Sequence, residues 1–193
     1  DILTPIHKIF RLIPHPAFLL FLYFFSFYFL MVNLKIPIEL SVLGALAYGF
    51  STYLLIIIQV GHNTKAQALG YMPLVISGML LIFNGNYRLG FIISLLSMAL
   101  NIRANHYQMT YYLLIIVGLI TLGFVIDLVR KKQYRPLAKS LLTMIVAMLL
   151  ALSFNATQLL ATSEYAKEST RGNSPLKESV SGELVASNAG LSF

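Results

Sequence analysis

Between His106 and Asp127 the chain carries twenty consecutive residues with no ionised side chain, and apolar runs of this kind recur along the sequence. A run of about 20 residues is what a helix needs to cross the hydrocarbon core of a bilayer. In lipid every backbone N–H and C=O has to be satisfied within the protein, so such runs are helical rather than isolated strands. Six of them can be marked: 17–32, 38–60, 67–83, 89–102, 110–129 and 141–160. The fold class that follows is all-α, a polytopic transmembrane helical bundle of about six spans. The third run is short and holds Pro73, which predicts a kink or break there, with a re-entrant element as the alternative. The fourth is shorter still and borrows residues toward His106.

Composition agrees with this reading. Only 11% of the 193 residues are charged and 58% are hydrophobic, whereas soluble domains carry about a quarter charged residues. The net charge of +7 does not point to nucleic acid. Five of the fourteen basic residues lie together between Arg130 and Lys139, in a connection between two apolar runs. Cytoplasmic loops collect Lys and Arg in this way. The connections at Lys35, Arg88 and Arg130–Lys139 hold seven basic residues, and the two opposite loops hold two, Lys65 and Arg103. Those opposite loops and both termini therefore face outward. With no cysteine, disulfides and thiolate metal sites are excluded. Residues 1–16 read as the end of an extracytoplasmic loop, 17–160 as the transmembrane bundle and 161–193 as the start of an extracytoplasmic region. The chain reads as an internal piece of a longer protein.

Three polar clusters interrupt or follow the apolar runs and share the outward face. The first is Gly61-His62-Asn63-Thr64-Lys65. The second is Arg103-Ala104-Asn105-His106-Tyr107-Gln108. The third joins Asn155 to Glu164-Tyr165, Lys167 and Thr170-Arg171-Gly172. His, Asn, Lys and Gln are costly beside hydrocarbon and mark polar cavities. His62, Asn63, Lys65, Asn105, His106, Gln108, Tyr165, Lys167 and Arg171 are the candidate substrate-binding residues. Each histidine taken alone is equally a hydrogen-bonding group at a helix end. A metal is not assigned: His62 and His106 lack a third ligand, because neither loop contains an acid. Asn105, Gln108 and Tyr112 fall on one helical face, which suits sugar hydroxyls or helix packing. The cations Lys65, Arg103, Lys167 and Arg171 suit phosphate. Asp127 stands three and four residues before Arg130 and Lys131, the spacing of a helical ion pair. Glu39, at the start of its run, suits the positive end of the helix dipole. No residue emerges as catalytic, since phosphate loops, nucleophile triads and paired carboxylates within a span are all missing from the sequence.

The strings Gly61–Lys65, Ala104–Tyr112, and Asn155 with Glu164–Lys167 through Gly172 resemble the YfhO family of bacterial membrane proteins, in its Bacteroidetes-type branch. The similarity runs in order over nearly the whole chain. It implies a glycosyltransferase of the GT-C type, a multi-pass protein of the bacterial inner membrane. Such enzymes move a sugar from a polyprenyl-phosphate donor to a cell-envelope glycan acceptor on the extracytoplasmic side, with membrane lipid as a further partner. The resemblance identifies no cofactor and leaves room for a divalent metal in the full-length enzyme. The usual catalytic Asp of these enzymes follows a first span that this sequence does not show, and Asp1 is not assigned to that role. Two other classes fit the same clusters: a transporter or flippase of lipid-linked sugars, and a structural membrane subunit.

Because the chain has no cysteine, single cysteines can map its topology without background. Cysteines at Asn63 and Tyr107 are expected to react with a membrane-impermeant thiol reagent in intact cells, and one at Gln133 only after lysis. The reverse pattern would invert the orientation.

Overall fold

The computed structural model describes residues 15–168. Every regular element among them is an α-helix: α1 (His15–Asn33), α2 (Ile38–Gly49), α3 (Thr52–Gln59), α4 (Asn63–Phe83), α5 (Tyr87–Arg103), α6 (Tyr107–Arg130), α7 (Tyr134–Phe154) and α8 (Ala156–Glu168). The first seven, up to Asn155, form one compact unit; α8 belongs to a second. Four helices of the first unit, α1, α4, α6 and α7, are long and apolar enough to cross a membrane. The pair α2 and α3 makes a fifth if counted as one span, bent by 43°. The protein is thus an all-helical chain with four to five candidate membrane-spanning helices.

The connections share one device. Lys35, Gly61, Gly85, Asn105 and Lys132 each adopt a positive φ, between 55° and 89°, just after a helix end. A left-handed residue there lets the chain fold back over the last helical carbonyls. Four of the five turns show the paired bonds of that motif. Gly61 N–H reaches Ile58 C=O and His62 N–H reaches Ile57 C=O; the turns at Lys35, Gly85 and Lys132 repeat the pattern. The turns after α3, α4, α5 and α6 are three residues long, and successive helices run antiparallel.

Cross-contacts show which ends meet. At one end the Tyr23 hydroxyl donates to Ala66 C=O at 3.0 Å, the Tyr48 hydroxyl to Leu69 C=O at 3.0 Å, and the Asn155 amide to Ala99 C=O at 3.0 Å. At the other end the Asn33 amide donates to the Ser77 hydroxyl at 2.6 Å. Phe83 there stacks on Phe124 at 4.6 Å, and Lys139 lies over the Tyr87 ring. Both histidine-bearing turns are at the first end, and the basic segment is at the second.

Helix α4 is the interior element. Two thirds of its most apolar window is buried (67%), against 11% for α6 and 17% for α7, whose apolar side chains point outward. Leu119, Leu142 and Leu149 are examples, all more than half exposed. The closest helix pair is α4 with α5. A Cβ added at Gly90 would stand 2.8 Å from both the Gly78 carbonyl oxygen and the Ile82 amide nitrogen. One at Gly78 would stand 2.7 Å from the Ser94 amide nitrogen. Gly90 and Ser94 are four apart, the spacing of small residues that lets two helix backbones approach in lipid.

Three expectations change. The run 67–83 belongs to an uninterrupted 21-residue helix through Pro73 that begins at Asn63. The polar Asn63-Thr64-Lys65 contributes its first turn, so it is long enough to span. The run 38–60 is broken between Gly49 and Thr52, where Ser51 is extended (φ −61°, ψ 137°). Gly49 lies against the Phe24 ring, and Phe24 packs edge-on against Phe50 at 4.9 Å. The run 141–160 is really α7, starting at Tyr134 and ending at Phe154, because Asn155 turns inward and its amide also bonds Ala151 C=O at 2.9 Å. Two smaller expectations hold: Glu39 is in the first turn of α2, and Lys131 pairs with Asp127 at 2.7 Å.

Gly90→Ala is expected to destabilise the bundle by about 1–3 kcal/mol, because α4 backbone atoms cannot yield to the new methyl. Gly118, in α6, has no atom within 4 Å of the position its Cβ would take. Gly118→Ala should leave stability unchanged or raise it by up to about 1 kcal/mol. Thermal unfolding of the two variants in detergent reads the difference.

Candidate functional site

The residues singled out in the first two clusters occupy two turns at one end of the bundle. His62 precedes α4, and Asn63 and Lys65 lie in that helix's first turn. Asn105 and His106 form the turn before α6, and Gln108 is the second residue of α6. The turns are adjacent because Ala68 and Ala104 are buried together with Met109 in one apolar cluster.

A polar hub fastens them. Asn101, wholly buried, donates its amide to Ala68 C=O at 2.9 Å and accepts from the Thr110 hydroxyl at 2.9 Å. One side chain thus joins the end of α5 to the second turn of α4 and the first turn of α6. Neither Asn101 nor Thr110 is among the candidates that the sequence suggests. A signal is present all the same: Ser97 and Asn101 stand four apart in the fourth apolar run, on one helical face, and both are buried.

The candidate residues differ in how they are presented. His62 and Asn63 are exposed, and the Lys65 ammonium is 5.2 Å from the centroid of the Tyr53 ring. Asn105 is exposed and holds the left-handed turn position, so it lies ahead of the helix on which Gln108 and Tyr112 sit. The Gln108 amide donates to the Tyr112 hydroxyl at 2.8 Å. His106 is half-buried, and its backbone oxygen accepts from the Met109 and Thr110 amides. Its ring Nδ1 is buried without a hydrogen-bond partner. Leaving a buried polar group unpaired costs about 1–3 kcal/mol, so this atom marks a place where a ligand hydroxyl or a water completes the structure.

Of the third cluster, Asn155 is buried and bonded to α5, as described, and acts as a structural tie. Tyr165 and Lys167 lie on α8, in the second unit. Arg171 lies outside the described residues. Among the described residues no three His, Cys, Asp or Glu side chains gather as a metal-holding group. The bundle's described carboxylates, Glu39 and Asp127, are at the opposite, basic end.

Midway along the bundle there is a cavity of about 40 Å³ lined by Met79, Met98, Met144 and Met148 with Val75, Ser94, Leu114, Val117 and Ala147. Ser94 Oγ is buried there without a partner. The space suits water and is too small for a sugar. No protein-family model, curated protein or solved structure matches this chain.

Asn101→Ala should remove both cross-helix bonds and lower stability by about 1–2 kcal/mol, near the upper range for polar contacts in membrane helices. Thr110→Val, which removes one bond, should cost less. Unfolding of the two variants in mixed micelles, compared with wild type, measures both.

Proposed function

We propose that this chain is the membrane-embedded part of a bacterial glycosyltransferase of the GT-C type. In this reading it takes a sugar from a polyprenyl-phosphate donor and passes it to a cell-envelope glycan on the extracytoplasmic side of the inner membrane. The observation that carries it is His106 Nδ1, buried and unpartnered at the end where two polar turns meet. Such an atom suits a sugar hydroxyl, while Lys65 on the neighbouring turn brings a cation toward phosphate. The resemblance of the same strings to the YfhO family supports the assignment.

In this reading α5 is the sixth span. Its 17 residues reach the lower limit of about 17 for a crossing helix; one face is buried against α4, and Leu89, Ile92 and Leu96 are exposed as on a lipid-facing helix. The start of α1 and the end of α7 then lie on the histidine side. His62, Asn63, Asn105 and Gln108 bind donor or acceptor hydroxyls, and Tyr165, Lys167 and Arg171, in the segment after α7, are the further donors this reading calls on. Arg171 is suited to a phosphate contact, since its planar fork can grip two oxygens where lysine offers a point charge. The base that activates the acceptor is assigned to a carboxylate beyond the bundle's own Glu39 and Asp127, which are at the wrong end. A divalent metal, if the full-length enzyme uses one, would also need ligands from outside these turns.

One observation favours the second reading, a transporter or flippase: the 43° bend between α2 and α3. Broken helices line midplane sites in transporters. The midplane cavity here is small and methionine-lined, so the enzyme reading is preferred.

The test uses the full-length protein in proteoliposomes with a radiolabelled polyprenyl-phosphate sugar. His106→Ala and Arg171→Lys should insert normally and lose about 1.5–3 kcal/mol of transition-state stabilisation, roughly ten- to a hundredfold in transfer rate. Unchanged transfer in both variants would show that the turns are packing groups. Movement of labelled lipid across the membrane without any sugar transfer would favour the transporter.

A further inference from the structure

The end opposite the histidine turns has a feature that sugar transfer does not use. An open groove of about 360 Å³ runs between the start of α5 and the middle of α7 and is lined by Tyr87, Arg88, Phe91, Leu142, Thr143 and Val146. Its mouth is cationic. Arg88 is exposed, and Lys139 Nζ is held over the Tyr87 ring, 4.2 Å from the centroid. A ring face attracts the ammonium without consuming its N–H donors, so Lys139 is placed at the mouth and still able to bond an anion. No carboxylate among the described residues lines the groove. The bundle's acids at this end do not serve it: Asp127 is paired with Lys131, and Glu39 lies in the first turn of α2. The Thr143 hydroxyl is also committed, donating to Lys139 C=O at 2.7 Å.

Below this mouth the lining is apolar through Phe91, Leu142 and Val146 apart from Thr143, and the exposed Ile145 and Leu149 on α7 extend the apolar character further. A cationic mouth over an apolar channel, at the end of a bundle of apolar helices, matches an amphiphile with an anionic head and hydrocarbon tails. Charge at this end is one-sided: Lys35, Arg88, Arg130, Lys131, Lys132, Arg135 and Lys139 stand against Glu39 and Asp127. A zwitterionic headgroup would bring its own ammonium to a groove that already has two cations and no acid.

We propose that the groove between α5 and α7 is a binding site for an anionic phospholipid, its phosphate held by Arg88 and Lys139 and an acyl chain laid along Phe91, Leu142 and Val146. The site is independent of the sugar-transfer reading, because it lies at the other end of the helices and shares no residue with the histidine turns. Binding there clamps the 17-residue α5, barely long enough to cross a bilayer, to α7.

The chain has no tryptophan, so a single introduced one reports its own lipid neighbours. Leu142→Trp, at a position 63% exposed, is reconstituted in vesicles that mix phosphatidylglycerol and phosphatidylcholine, with one or the other brominated. Phe91→Trp provides a second reporter on the facing helix. Both should be quenched several-fold more by brominated phosphatidylglycerol than by brominated phosphatidylcholine at equal mole fraction. Adding Arg88→Gln and Lys139→Gln should bring the ratio to about one. Val32→Trp, on α1 at the same end, should show a ratio near one throughout. Equal quenching at Leu142 and Phe91, a preference that survives loss of both cations, or the same preference at Val32 would each overturn the site.

Discussion

The approach of α4 to α5 is the contact on which the rest of the bundle depends. Lipid supplies no hydrophobic force to press two helices together, so association rests on close van der Waals contact and on interhelical hydrogen bonds. Gly78, Gly90 and Ser94 remove the side chains that would hold the backbones apart. With α5 seated, Asn101 can reach Ala68, and Asn155 at the end of α7 can reach Ala99. Helix α7 is thus tied to α4 largely through α5. The least apolar helix of this unit, α5, packs beside the interior α4, while the most apolar candidate span, α6, faces outward.

Much of this architecture is legible because membrane helices announce themselves through length and hydropathy. The runs at 17–32 and 110–129 match α1 and α6 to within a few residues for that reason. Errors arise where polar residues lie inside a helix. Asn63, Thr64 and Lys65 read as loop, yet they begin α4, since the turn is closed by Gly61 one residue before His62. Hydropathy alone also cannot foresee the break after Gly49, because residues 38–60 are apolar almost throughout and the bend is set by how Phe24 and Phe50 pack around the glycine.

For the candidate site, the sequence brings out the two histidine turns as polar interruptions and hides what joins them. His62 and His106 stand out as polar residues between apolar runs, and the two turns do meet at one end. Asn101 draws no attention because a single amide within an apolar run looks like a minor interruption. Its importance comes from three dimensions, where its two bonds reach helices 33 residues before and nine residues after it. Asn155 shows the opposite case: grouped with the polar clusters by position, it is buried and bonded to backbone. A polar residue near a membrane helix end becomes a tie or a ligand group according to whether a neighbouring carbonyl already claims it.

The five left-handed turns constrain how such a chain can evolve. Each connection closes over the preceding helix with a fixed number of residues, and the next helix starts at a fixed angular phase. Adding or removing one residue within a helix would rotate everything after it by about 100° and shift it about 1.5 Å along the axis. Asn101 would then miss Ala68, and Gly90 would no longer face Gly78. With no slack loop in α3 through α7 to absorb the change, length variation in homologous chains should be confined to segments outside this stretch, and substitution left as the main route of divergence within it.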